Sequence, residues 1–186
     1  MIFTHGSFNP DVVFNLSLSP KSRVYEYCVT CHKMSDITVL IASSSPAARA
    51  EIEEQLSACD AIHVVGAVGA NADVLRLTEK FKPDVLVFHT ASCGKPQMDM
   101  LFRLREIHST LTTLALECSP EHVRTYFINL ASWGLRGCIC EWRDSAELID
   151  AVRTLGRGDF YLCPMASHAL VDAYRDMIHH VVQEAL

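Results

Sequence analysis

The sequence is poor in glycine and proline, poor in basic residues, and free of long apolar runs. Eight glycines and seven prolines in 186 residues exclude a collagen-like chain and a Pro/Gly-rich disordered one. Sixteen basic against 22 acidic side chains give a net charge of −6, which argues against direct contact with nucleic acid. Apolar runs such as Val85-Leu86-Val87-Phe88 fall far short of the ~18 residues of a membrane span. No charged segment leading into a long apolar stretch opens the chain, so a secretory signal is not expected and a cytoplasmic location is. Catalytic signatures are missing too. The serines form no G-x-S-x-G elbow, Gly66 and Gly69 form no phosphate-binding fingerprint, and the nine histidines form no H-E-x-x-H. No catalytic residue, cofactor or metal is expected.

What is present describes a globular chain. Hydrophobic residues reach 49% and charged ones 20%, enough apolar surface to fold. The length allows one domain of about 100–150 residues plus an extension. Eight cysteines fall at Cys28, Cys31, Cys59, Cys93, Cys118, Cys138, Cys140 and Cys163, most of them in apolar strings. Without an export signal they read as reduced thiols, several of them buried. Cys28-Val29-Thr30-Cys31-His32 has the spacing of covalent haem attachment. Nothing downstream reads as a cytochrome, and no second C-x-x-C completes a zinc ribbon, so these residues are expected to bind nothing. Residues 1–33 carry no clear period. Met34-Ser35-Asp36 before a strand looks like a natural chain start, so residues 1–35 are set apart as a disordered extension or a mis-set start.

From Ile37 the pattern becomes regular. Ile37–Ala42 is a β-branched run that predicts a buried strand. Pro46 suits a first helical turn, with Ser45 or Ser44 as N-cap. The helix that follows turns Ala50, Ile52 and Leu56 inward and Glu51, Glu53 and Glu54 outward. Further strands are expected at Ile62–Gly66, Asp84–Phe88, Leu111–Leu116 and Gly137–Cys140. Helices alternate with them at Ala72–Phe81, Met98–Ile107 (with Met98, Leu101, Phe102 and Arg105 on one face), Pro120–Leu130 and Ser145–Leu155. Such alternation predicts a parallel sheet covered on both faces, with any site at the carboxyl ends of its strands. Those ends are Ser43 and Ser44, Gly66 to Gly69, His89, Glu117 and Glu141.

Val39-Leu40-Ile41-Ala42 with Pro46, Val64-Val65-Gly66, Pro83-Asp84-Val85-Leu86-Val87 and Leu104-Arg105-Glu106 resemble the receiver domain of two-component response regulators. Gly134-Leu135-Arg136-Gly137, Ala151-Val152-Arg153 and Gly156-Arg157-Gly158-Asp159-Phe160-Tyr161-Leu162-Cys163-Pro164 point to the LuxR-type branch. The resemblance runs from Ile37 to Pro164. It implies a flavodoxin-like (CheY-like), doubly wound sheet of five parallel strands in the order 2-1-3-4-5, with an extra C-terminal helix. The expected division is a receiver-like domain at 36–163 and a terminal helix at 164–186.

In the receiver family an acidic pair after the first strand holds Mg²⁺, and an aspartate after the third accepts phosphate. A Thr or Ser after the fourth strand and a Lys after the fifth contact the phosphoryl group. The resemblance puts Ser43 and Ser44 at the acidic pair and His89 at the phosphoacceptor. It puts Glu117 at the switch hydroxyl and Glu141 at the lysine. All five depart from the pattern. Two serines lack the charge that holds Mg²⁺, a histidine cannot form an acyl phosphate, and two glutamates repel a phosphate.

The implied protein is a pseudo-receiver, a non-enzymatic signalling module that is not phosphorylated. It would work through contacts with a protein partner or as a homodimer, in a two-component or transcriptional regulatory pathway. An ordinary phosphorelay regulator truncated of its helix-turn-helix is the alternative, which the five departures count against. A metal or ligand sensor built from His89, Glu117 and Glu141 is a further one, with no spacing motif behind it. After Met165 the sequence gives one helical segment and no basic recognition helix. Its apolar stripe (Leu170, Val171, Tyr174, Met177, Ile178 and Val181) would either pack back on the domain or form a self-association seam.

Overall fold

The computed structural model describes residues 36–69, 71–89, 95–125 and 134–184. The expectations placed on Cys28, Cys31, His32, Cys93 and the residues after 125 in the fourth helix lie outside them. β1 (Ile37–Ser43), β2 (Ile62–Val68), β3 (Val85–His89), β4 (Thr112–Leu116), β5 (Leu135–Ile139) and β6 (Tyr161–Leu162) form one parallel sheet in the order 2-1-3-4-5-6. The expected five-strand order is there, and β6 adds a short edge beyond it. Two residues are too few for any alternation to show in the sequence. Gly158, at φ 86°, turns the chain back after α5, and Cys163 N–H then donates to Cys138 C=O at 3.0 Å.

The helices are α1 (Pro46–Ser57), α2 (Asn71–Phe81), α3 (Lys95–Ile107), α4 (120–125 as described), α5 (Ser145–Gly156) and α6 (Pro164–Glu184). Ser45 is the N-cap of α1, its Oγ accepting from Ala48 N–H at 3.2 Å, and Pro46 opens the helix where a missing donor costs nothing. Asp144 caps α5 in the same way through Ala146 N–H at 2.8 Å. Alternate strand residues point to opposite faces. Ile37, Val39, Ile41, Val85, Val87, Leu114 and Leu116 meet Ile52 and Leu56 of α1 and Leu148, Val152 and Leu155 of α5. Leu40, Ala42, Leu86, Phe88 and Ala115 meet Val74 of α2, Met100, Leu101 and Leu104 of α3, and Ala166 and Ala169 of α6.

Several expected inward residues are not inward. Ala50 is exposed on α1, and Phe102 is 48% exposed on α3. The core stripe of α3 is Met100, Leu101 and Leu104, one position around from the expected one; the side chain of Met98 lies outside the described ones. β2 runs on to Val68 rather than stopping at Gly66, because the β1–β2 register shifts between Val39 and Leu40 and the strand continues past the irregularity. On α6 the inward face is small: Ala166 and Ala169 are buried and Leu170 packs against the core, while Val171, Tyr174, Met177 and Ile178 stay exposed. Alanines let the helix lie close to the sheet, so the larger stripe turns away from it.

Cys59, Cys118, Cys138, Cys140 and Cys163 are all buried thiols outside any disulfide. Hydrogen bonds shared with Cys118 and Cys140, then burial, push the Cys138 thiol far above its ordinary range. Tyr161 is pushed up to about 12 by burial, with the charges of Glu147 and Asp150 and a hydrogen bond to Glu147 adding to it. A raised phenol keeps its proton in the native state after the unfolded chain has released it. Stability contributed by neutral Tyr161 is therefore complete below the ordinary tyrosine value and is lost as pH rises through about 12. A spectrophotometric titration should show a tyrosine step near pH 12, and Tyr161→Phe should remove that late step. A titration in which Tyr161→Phe removes an early step would contradict this placement.

Candidate functional site

The carboxyl ends of β1, β3 and β4 lie side by side, because Ser43 pairs with His89 and His89 with Leu116 in the strand register. Topology therefore gathers Ser43, His89 and Glu117 at one edge. Their side chains form a continuous hydrogen-bonded chain. Ser45 N–H donates to Ser43 Oγ at 3.1 Å, Ser43 Oγ lies 2.9 Å from His89 Nδ1, and His89 Nε2 lies 2.9 Å from Glu117 Oε2. A carboxylate can only accept, so Nε2 carries the proton. In the neutral imidazole Nδ1 is then the acceptor and the Ser43 hydroxyl the donor. Each polar atom along the chain has a partner, and Ser43 itself is only 3% exposed.

Glu117 holds its place at φ 55°, in the left-handed region that non-glycine residues rarely adopt. Such strain persists where surrounding contacts over-determine the backbone. Here the bond to His89 and the buried strand behind it do so. Beside His89 stands Trp142, edge-on with ring centroids 6.2 Å apart, its Nε1–H donating to Gln55 Oε1 of α1 at 3.1 Å. Neither residue stands out in the sequence, since a lone Trp in a loop and a Gln on a helix carry no spacing signal.

A second contact missed by sequence reasoning is Arg49. Its Nη1 donates to Ser43 C=O at 2.6 Å, satisfying the carbonyl that ends β1. The guanidinium passes so close to Gly69 that a Cβ there would lie 3.0 Å from Nη1, which is why a residue without a side chain suits that position. Ser44 is exposed. Glu141 turns to Arg143, whose Nη2 donates to Oε2 at 2.5 Å. Arg136 donates to Gly158 C=O at 2.7 Å. The imidazole and two carboxylates of the metal alternative are not assembled: among the described residues no group of three His, Cys, Asp or Glu could hold a metal ion.

A parallel sheet with the order 2-1-3-4-5, its polar residues gathered at the carboxyl strand ends, is the flavodoxin-like fold, which receiver domains share. Response regulators are among the proteins the chain is similar to. A LuxR-family two-component response regulator from Aurantimonas sp. SI85-9A1 superposes with TM-score 0.64 at 16% identity, over 74% of this chain and 97% of that one. The isolated REC domain of RcsB from Salmonella enterica serovar Typhimurium, in the presence of a phosphomimetic, superposes with TM-score 0.61 at 17% identity, over 73% of this chain and 99% of that one. In sequence, the transcriptional regulatory protein DegU of Brevibacillus brevis is 25% identical over 123 residues, covering 64% of this chain and 49% of that protein. The chain thus spans about half the length of the curated relative it matches. No family model matches it.

Proposed function

We propose that the chain is a pseudo-receiver: a receiver fold that keeps one signalling state without phosphate and acts through protein contacts in a two-component or transcriptional regulatory pathway. The supporting observation is the closed chain from Ser43 through His89 to Glu117. In this reading Ser43 and Ser44 stand for the acidic pair, His89 for the phosphoacceptor, Glu117 for the switch hydroxyl and Glu141 for the lysine. The polarity of the site is then inverted. Arg49 brings a positive charge to Ser43, where a receiver gathers carboxylates around Mg²⁺, and repels a divalent cation there. Glu117 brings negative charge to the side that would contact a phosphoryl group and repels it, while Glu141, at the lysine's place, is paired with Arg143 and supplies no cation. Phosphoryl transfer relies on positioning and charge neutralisation, and this site supplies neither.

The hydrogen bond from His89 to Glu117 ties the ends of β3 and β4 with no phosphoryl group between them. In a receiver the same two ends meet through the phosphoryl group, which the third strand carries and the switch residue of the fourth contacts. The module therefore reads as fixed rather than switched, as non-enzymatic, and as cytoplasmic, where the five buried thiols stay reduced. Incubation with Mg²⁺ and acetyl phosphate should leave the intact mass unchanged, and beryllofluoride should not raise Tm. Glu141→Lys alone should not change either result, because the acceptor and the acidic pair would still be missing. A phosphoryl mass increment on the wild-type chain, abolished by replacing His89, would refute the reading and establish a phosphohistidine; one abolished elsewhere would restore the phosphorelay alternative.

A further inference from the structure

Four of the buried thiols converge on one side of the sheet. Cys118 follows β4, Cys138 lies in β5 with Cys140 just after it, and Cys163 joins β6 to α6. All four belong to the same core layer as Ala166 and Ala169 of α6. Hydrogen bonds join their sulfurs in series, Cys118 to Cys138, Cys138 to Cys140 and Cys140 to Cys163. A buried cysteine that only fills space needs none of these bonds.

Cys140 and Cys163 are set apart within the row. They are its least covered members, at 8% and 6% against 0% for Cys138 and 4% for Cys118. Cys163 Sγ accepts from two backbone N–H groups, those of Cys140 and Ala166, each at 3.4 Å. The second bond makes this sulfur the N-cap of α6, whose first helical bond runs from Ser167 N–H to Cys163 C=O at 2.9 Å. Two N–H groups at a helix N-terminus stabilise a sulfur while it carries negative charge. The two thiols are also poised differently. Hydrogen bonds from Cys138, then Cys163, hold the Cys140 thiol below its ordinary range, against burial and the charges of Cys118 and Glu141. Burial holds the Cys163 thiol above its own.

We propose that Cys140 and Cys163 form a redox-modification site, in which a hydroperoxide oxidises Cys140 and Cys163 closes a disulfide onto it. The Cys140 thiolate attacks the O–O bond of hydrogen peroxide, becomes a sulfenic acid and releases hydroxide, which leaves as water with the proton Cys140 gave up. The Cys163 sulfur then displaces the sulfenic OH, which leaves as a second water with the Cys163 proton. Two thiols are oxidised, and one peroxide is reduced to two waters. β6 pairs with β5 only at Tyr161 and Leu162, so it can yield the short way from sulfur contact to an S–S bond of about 2.05 Å. The bond staples the end of β5 to the first turn of α6. In a reducing compartment it is transient, as oxidant-sensing disulfides are there. The site involves no phosphoryl chemistry and does not rest on the pseudo-receiver reading.

Brief exposure of the full chain to sub-millimolar hydrogen peroxide, then alkylation and digestion without reductant, should yield peptides linked through Cys140 and Cys163 and released by dithiothreitol. Reading the linked peptides separates this bond from any formed by Cys28, Cys31 or Cys93. Cys140→Ser should abolish the link and Cys138→Ala should keep it. Cys163→Ser should leave Cys140 as a sulfenic acid that dimedone captures. The rate should rise with pH and level off below the ~8.5 of an ordinary thiol. Wild-type thiols that stay reduced while circular dichroism shows a folded chain would overturn the proposal, as would a bond made by Cys118 or Cys138 instead. A rate still climbing beyond ~8.5 would overturn Cys140 as the attacking thiol.

Discussion

His89→Asp, the substitution that writes back a receiver's acceptor, is expected to cost about 2–4 kcal/mol of stability at neutral pH and to leave the chain unable to take up phosphate. The imidazole is the middle of the site: it joins Ser43 Oγ to Glu117 Oε2, both at 2.9 Å, and its side chain is only 13% exposed. Removing it strands the Ser43 hydroxyl and puts a second carboxylate at the strand end that faces Glu117. Two carboxylates in one part-buried site cannot both ionise cheaply, so one of them takes a raised pKa. The native state of the variant then holds a proton that the unfolded chain releases near the ordinary carboxylate value of about 4, and stability falls as pH rises above it. Tm of His89→Asp should be higher at pH 5 than at pH 8. His89→Asn, which loses the same imidazole but adds no charge, should show a smaller difference. Equal pH dependence in the two variants would mean that the introduced carboxylate does not feel Glu117. Phosphate uptake by His89→Asp would mean that Arg49 and the two serines do not keep Mg²⁺ out.

The sheet was legible because its strands are buried on both faces. Runs such as Val39-Leu40-Ile41 and Leu86-Val87-Phe88 leave no room for a solvated face, and helices between them leave no choice but crossovers in one sheet. Helix faces were less legible. On α3, Phe102 fits the apolar spacing as well as Met100 does, and only the position of α2 beside it decides which of two adjacent stripes is covered. On α6 the sequence shows the larger stripe most clearly, yet the smaller alanine face is the one that packs. Size and hydrophobicity attract attention in a sequence, whereas a sheet surface with little spare depth takes the side chain that fits.

At the site, proximity was legible and bonding was not. The strand order alone places Ser43 next to His89 and His89 next to the end of β4. Whether the imidazole would bridge its neighbours, turn to Trp142 or point into water depends on χ angles and on the left-handed turn at Glu117. No composition or period encodes either. Arg49 illustrates the same limit. It lies four residues after its own helix cap, on a helix whose charges read as a solvated face, and its link to Ser43 depends on the close passage beside Gly69. The charge reversal of the site is thus half visible in sequence, as carboxylates gained, and half visible only in three dimensions, as a guanidinium brought in.

The largest stability effect is expected where β4, β5 and α5 meet. Leu114 is fully buried and pairs in register with Gly137. A Cβ at Gly137 would lie 2.7 Å from Leu114 Cδ1 and 2.8 Å from Leu155 Cδ1, so the glycine is present because two leucines fill its space. Leu114→Ala should cost about 3–5 kcal/mol through lost burial and a residual cavity. Gly137→Ala should cost about 1–3 kcal/mol through overpacking, the methyl displacing the ends of flexible side chains rather than backbone. In the double variant the new methyl enters the space Leu114 vacated, although Leu155 still opposes it. The combined loss should therefore fall short of the sum by about 1 kcal/mol or more, within the range of directly coupled neighbours. Urea unfolding of the four proteins, at unchanged m-value, measures this cycle. Additivity within about 0.5 kcal/mol, the behaviour of distant sites, would mean that the two residues do not share the same space and that some other contact accounts for the glycine.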